Sequence, residues 1–149
     1  MDQSVTRGKA DAIREMQDEL FQRKGRGWFR VLSSSMYPLI EINDRILVHI
    51  VPPAEIRLRD IILYKSDDVF VAHRVIGFDR KNIRTMILQK GDASADASLI
   101  APDAVVGKVA IVEKNGRLLD LSSGRGKVLN GFLGMKSCML YRMLLEINR

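Results

Sequence analysis

The sequence predicts a mostly β, antiparallel domain carrying an N-terminal helix and a C-terminal amphipathic helix. Three observations carry this. Short segments rich in Val, Ile, Leu and Phe recur between residues 28 and 113, turn chemistry separates them, and helical periodicity is confined to the two ends. At 149 residues the chain fits one domain, long enough to hide roughly 68 to 70% of its unfolded surface. The expected organisation is an N-terminal helix and turn at 1–27, a β domain at 28–121 and the C-terminal helix at 122–149.

Taken in order, Ala12, Ile13, Met16, Leu20 and Phe21 recur at helical spacing from Ala10 to Arg23, and Gly25 and Gly27 stop the pattern. Six strand-like segments follow: Trp28–Leu32, Arg45–Val51, Asp60–Tyr64, Val69–Ile76, Ile83–Gln89 and Val105–Glu113. The separators are Asn43-Asp44, Pro52-Pro53, Ser66-Asp67-Asp68, Lys81-Asn82, Gly91-Asp92 and Asn115-Gly116, the last a strong two-residue hairpin signal. Strands so closely spaced, without helices between them, argue against a βαβ sheet. In the tail, Leu129, Phe132, Leu133, Leu140, Met143, Leu144 and Ile147 fall largely on one helical face. That face suits packing on the sheet, or lying on an anionic membrane surface with Lys127, Lys136 and Arg142 towards the headgroups.

Composition narrows the chemistry. The only histidines are His49 and His73 and the only cysteine is Cys138, so a Cys/His zinc site lacks its ligands, and neither a metal nor a cofactor is expected. A disulfide within the chain is excluded. Twenty-four Lys plus Arg against 18 Asp plus Glu give +6, which favours anionic partners without bearing on fold. The excess is greatest in the tail, where Arg117, Arg125, Lys127, Lys136, Arg142 and Arg149 face only Asp120 and Glu146. Residues 1–24 are charged throughout, so no signal peptide is expected. Asn130, Lys136 and Arg142 interrupt the longest apolar stretch, Val128–Leu145, so no spanning helix is expected either and the location predicted is cytoplasmic or peripheral to a membrane.

Ser123-Gly124-Arg125-Gly126-Lys127 ends in Gly-Lys, but a phosphate-binding loop needs glycine at Leu121 and a hydroxyl at Val128. It is a basic turn. More informative is Val31-Leu32-Ser33-Ser34-Ser35-Met36-Tyr37-Pro38, which leaves a strand, meets three hydroxyls and is turned by proline. A serine nucleophile needs a neighbouring base. His49 and His73 both compete for that role, and strand alternation also accommodates either as a side chain on a half-wet sheet face.

Ser33-Ser34-Ser35-Met36-Tyr37-Pro38 resembles the Ser-Gly-Ser-Met-x-Pro box of type I signal peptidases. Further boxes follow in that family's order: Arg59-Asp60-Ile61-Ile62-Leu63-Tyr64, Ala72-His73-Arg74-Val75-Ile76, Gln89-Lys90-Gly91-Asp92-Ala93 and Val106-Gly107-Lys108-Val109. The resemblance covers about residues 28–113 and implies a signal-peptidase/LexA-like β fold of the S24/S26 peptidase clan. It implies Ser35 as nucleophile, His73 as base in the manner of the endoplasmic-reticulum, archaeal and sporulation-type branch, and an oxyanion hole from the Ser33 hydroxyl and the Ser35 N–H. An aspartate behind the ring is implied as Asp96 or Asp92; Asp96 falls closer to Asp92 than the family spacing, and Ser98 stands at the expected spot. Ser34 replaces the box's glycine, where a Cβ would crowd a turn needing positive φ. Asp60 reads as a structural turn residue. Arg74 reads either as a partner for a carboxylate near the site or as an exposed strand arginine.

The expected function is therefore a serine endopeptidase that cleaves a leader or signal segment from a peptide or protein precursor, without cofactor and without nucleic acid as partner. Two other readings are a self-cleaving regulatory peptidase of the same clan, and a catalytically silent basic β-domain that binds anionic lipid, nucleic acid or a partner protein.

Overall fold

The computed structural model describes Glu15, residues 18–81 and residues 83–147. Residues 18–24 are helical (α1), whereas Ala12, Ile13 and Met16 of the expected N-terminal helix lie outside the described residues. Among the described residues eight strands follow: β1 (Arg26–Arg30), β2 (Arg45–His49), β3 (Ile61–Ser66), β4 (Val69–Asp79), β5 (Met86–Lys90), β6 (Ala97–Ile100), β7 (Val105–Lys114) and β8 (Arg117–Asp120). Helix α2 (Gly124–Ile147) closes the chain. The sheet runs β1-β2-β7-β3-β4-β5-β6 with β8 also on β7, and its pairings are antiparallel. The mostly-β prediction therefore holds at the level of architecture.

Turn chemistry sets several of the connections. Gly25, at φ 67°, ends α1, and its N–H bonds the Phe21 carbonyl. Asn115 and Gly116 both take positive φ, joining β7 to β8 so that Lys114 faces Arg117. Asp60 accepts the Arg57 N–H at 2.8 Å and pairs with Lys108 at 3.1 Å, the structural part expected of it.

Alternation along β3 builds two cores. Ile61 and Leu63 join Met36, Leu39, Ile40, Ile46, Val48, Val109 and Val112 on one face of the sheet. Ile62 and Tyr64 join Ile56, Val75 and Ile87 on the other. Ile61–Tyr64 is buried on both faces, which is why it reads as a continuous apolar run. At about 25 cal/mol per Å² of apolar surface removed from water, such a strand is the main fastening of the sheet.

Helix α2 corrects the sequence reading. Of the seven apolar residues assigned to a packed face, only Leu133 is buried; Gly126, Gly134 and Ser137 are the other buried positions. A Cβ at Gly126 would run into the Asp120 carbonyl, and one at Gly134 would stand 2.9 Å from the Arg59 Cβ. The helix docks by the side on which glycine lets the backbone come close, and the bulky side chains are left to point away. Among the described residues no helix is long and apolar enough to cross a membrane.

Candidate active site

Residues 31–44 form a loop between β1 and β2, closed at its neck by Val31 N–H to Asp44 O and Asn43 N–H to Val31 O, both 2.9 Å. Met36, Leu39 and Ile40, each no more than 2% exposed, plug it into the first core. Lys114 of β7 holds the far side through Glu41 and Asp44. With its floor buried and its neck tied, the loop carries Ser33, Ser34 and Ser35 at the rim, where the Ser33 and Ser35 hydroxyl oxygens lie 3.3 Å apart. Among the described residues no protein acceptor takes the Ser35 N–H. Ser34 is not among the residues with positive φ, so the expected crowding by its Cβ does not arise.

His73 reaches this rim from β4. Arg74 pairs with Lys90 across β4 and β5, so the next residue after Lys90, Gly91, comes alongside His73. A Cβ built on Gly91 would stand 3.2 Å from His73 Nε2, 3.2 Å from the Ser35 Cβ and 2.7 Å from the Ser35 carbonyl oxygen. The serine side chain and the imidazole nitrogen are thus both neighbours of one glycine, and that glycine admits no side chain without displacing one of them. The Ala93 N–H donates to the Ser35 carbonyl at 2.9 Å, fixing the serine to the same loop.

The other ring nitrogen is fully engaged. His73 Nδ1 lies 2.5 Å from Gln89 Oε1, and the Gln89 amide donates to Ser98 Oγ at 2.6 Å. With its NH2 directed to Ser98, Gln89 offers its carbonyl to the ring, so Nδ1 carries the hydrogen and Nε2 keeps its lone pair. Tyr64 OH stands 3.4 Å from Nδ1, and burial raises its pKa, so the phenol stays protonated. Burial lowers the His73 pKa from its ordinary 6.5, opposed by the Gln89 bond and the Asp92 charge and assisted by the Lys90 charge. The neutral ring is the form a general base requires.

The aspartates assigned behind the ring do something else. Asp92 is bidentate to Arg74, with Nε to Oδ1 and Nη2 to Oδ2 both 2.7 Å, and the two side chains are 5% and 0% exposed. Its charge is felt at His73, but its oxygens are taken by the guanidinium. Asp96 is exposed, and its N–H bonds Ser94 Oγ. Gln89 fills the place instead, linked to Ser98 at the spot where the resemblance expects the carboxylate. Arg74, left open between pairing and exposure, is wholly buried and also donates to Arg59 O at 2.9 Å and Asn130 Oδ1 at 2.7 Å.

Lys90 shapes the loop. Its ammonium donates to the carbonyls of Gly91 at 2.8 Å and Ser94 at 2.6 Å, and burial lowers its pKa. Sequence reasoning missed Gln89 and Lys90 as site residues. Their signal was a polar pair ending the apolar run Met86-Ile87-Leu88, where polar side chains on a buried strand need local partners.

His49 is brought nowhere near this constellation. It borders a separate cleft of about 360 Å³ with Asp60, Lys108 and Asn130, and among the described residues its buried Nε2 has no hydrogen-bond partner. Among the described residues no cluster of His, Cys, Asp and Glu is arranged to hold a metal ion. A scan against protein-family models gives no match for this chain, and a search of curated proteins gives none either.

Proposed function

We propose that the protein is a serine endopeptidase of signal-peptidase type that cleaves a leader or signal segment from a peptide or protein precursor. The observation that carries the proposal is the common neighbour: Gly91 lies against both the Ser35 side chain and His73 Nε2, while Gln89 occupies Nδ1. The reading requires Ser35 Oγ, which lies 3.3 Å from the Ser33 hydroxyl oxygen, to turn towards Nε2. Nε2 then accepts the hydroxyl proton as Oγ attacks the scissile carbonyl, and returns it to the departing amine as the C–N bond breaks; water repeats the sequence to release the acyl group. The Ser35 N–H and the Ser33 hydroxyl are available to meet the developing oxyanion, each such donor being worth about 2.7–4 kcal/mol in comparable sites. Gln89 holds the tautomer and the ring plane, as a carboxylate does elsewhere, but without a full charge to stabilise the imidazolium. The resemblance of five boxes, which fall on the Ser35 loop, β3, β4, β5 with its following loop, and β7, supports the signal-peptidase assignment and supplies the leader-type substrate.

The test needs no known precursor. Purified protein is incubated with a peptide library rich in small residues and, separately, with a peptidyl phosphonate, and products and intact mass are read by mass spectrometry. Cleavage and a phosphonate adduct on Ser35 are expected. Ser35→Ala and His73→Ala each lower cleavage at least about a thousandfold, as expected for a nucleophile and its base. Unchanged cleavage in either variant, or neither cleavage nor adduct in the unaltered protein, overturns the assignment.

A further inference from the structure

Helix α2 is about 36 Å long at 1.5 Å per residue, and most of its large apolar side chains are turned to solvent. Its docked side presents Gly126, Asn130, Gly134 and Ser137, with Leu133 the single large apolar anchor. Directly opposite, Val128, Phe132, Met135, Met139 and Met143 recur at intervals of four, three, four and four residues and form one stripe. These five are 45–74% exposed. A row of this size left towards water on a folded domain marks a surface that something else covers.

The charges around the stripe say what covers it. At 100° per residue, Lys136 and Arg142 border it on either side and Arg125 stands at its N-terminal end. Among the described residues none of the three makes an ion pair, and the only acid in the helix, Glu146, lies on the face of the stripe in the last turn, beyond Met143. Beyond Cys138 every described residue except Tyr141 is exposed, so the distal turns lie outside the packing of the domain. An apolar stripe edged by long, unpaired cations is the pattern of a helix lying in a membrane interface, its side chains among the acyl chains and its cations at the phosphates.

We infer that α2 docks the protein on an anionic bilayer surface through Val128, Phe132, Met135, Met139 and Met143, with Arg125, Lys136 and Arg142 at the lipid phosphates. The inference does not depend on the peptidase reading. It replaces the face expected from the sequence, because Leu133 of that face is spent on the core.

The test is co-sedimentation of the full chain with vesicles of phosphatidylcholine alone and of phosphatidylcholine with about 30% phosphatidylglycerol. Binding to the anionic vesicles is expected to be at least about tenfold tighter and to weaken with salt. Lys136→Gln with Arg142→Gln weakens it about thirtyfold, at about fivefold for each basic residue near an anionic surface. Phe132→Gln with Met139→Gln weakens it at least about tenfold, while circular dichroism and melting temperature stay unchanged because both side chains face water. Ser35→Ala binds as the unaltered protein does, which separates this result from the peptidase assay. Three outcomes overturn the inference: no binding to the anionic vesicles, equal binding by the Phe132/Met139 variant, or a lipid-free dimer in sedimentation velocity that this variant dissociates, which gives the stripe to a second copy.

Discussion

His49 and His73 stand on one face of the sheet, at the two ends of a cross-strand row through Lys108 and Ile62. Both lie in apolar strands and both are half-buried. They differ in what surrounds the ring. Around His73 every group has work: Gln89 holds Nδ1, Ser98 holds Gln89, and Gly91 leaves Nε2 open towards Ser35. At His49, among the described residues, the buried Nε2 has no hydrogen-bond partner. The residue type supplies a titratable nitrogen, and the neighbours decide whether the ring is held in one tautomer or left with an unpaired atom.

The largest way to break this contrast lies beneath His73. Asp92→Ala leaves the wholly buried Arg74 guanidinium unpaired, and loss of one member of such a pair costs about 3–5 kcal/mol. Denaturant unfolding should show that loss, and the same experiment on Asp96→Ala, an exposed carboxylate, should show almost none. Next in size is Gly91→Ala. Its Cβ would stand 2.7 Å from the Ser35 carbonyl oxygen, so the serine or the ring must move, and a displacement of about 1 Å lowers turnover about a hundredfold. Peptide cleavage assayed alongside circular dichroism separates this from unfolding.

Gln89 sharpens the contrast in a finer way. Gln89→Ala frees the ring tautomer and should cost at least about tenfold in kcat/KM, by the reasoning that fixes imidazole orientation in serine hydrolases. Since burial holds the His73 pKa below 6.5, the acid limb of the rate profile should fall below that pH. Gln89→Glu places a carboxylate beside Nδ1, favours the imidazolium, and should move the limb upward. A limb that stays put in Gln89→Glu would separate the ring from Gln89. The smallest effect belongs to His49→Leu, which removes the orphaned nitrogen. Stability should be unchanged or higher by up to about 1–3 kcal/mol, with activity unaltered.

Much of the sheet was readable because β-branched and aromatic runs alternate with turn residues; Asn115-Gly116 signalled a hairpin, although β8 beyond it was not among the strands expected. Strand β6 was missed because Ala97-Ser98-Leu99-Ile100 is short and follows a polar loop, so only its pairing with β5 makes it a strand. The polarity of α2 was misread for a different reason. Apolar residues lie almost all round it, and glycine on the docked side carries no hydropathy signal although it decides how close the helix comes. At the candidate site, local chemistry left three serines and two histidines open, and only the family resemblance implied Ser35 and His73, with Gly91 within one of its boxes. The place of Gln89 depends on the register of β4 against β5, which puts it opposite Val75 and on the face of His73. Local sequence does not state that register. Asp92 was misassigned because spacing alone does not tell which of two neighbouring cations or rings a carboxylate will meet.

Arg74 adjoins His73 in sequence, grips the residue after Gly91, and reaches across to the Asn130 side chain on α2. One guanidinium is therefore a three-way rivet. Detaching the first half of α2 strips the rivet of a partner and loosens the segment that seats Ser35, so the two regions should open together as a single cooperative unit and not as independent parts.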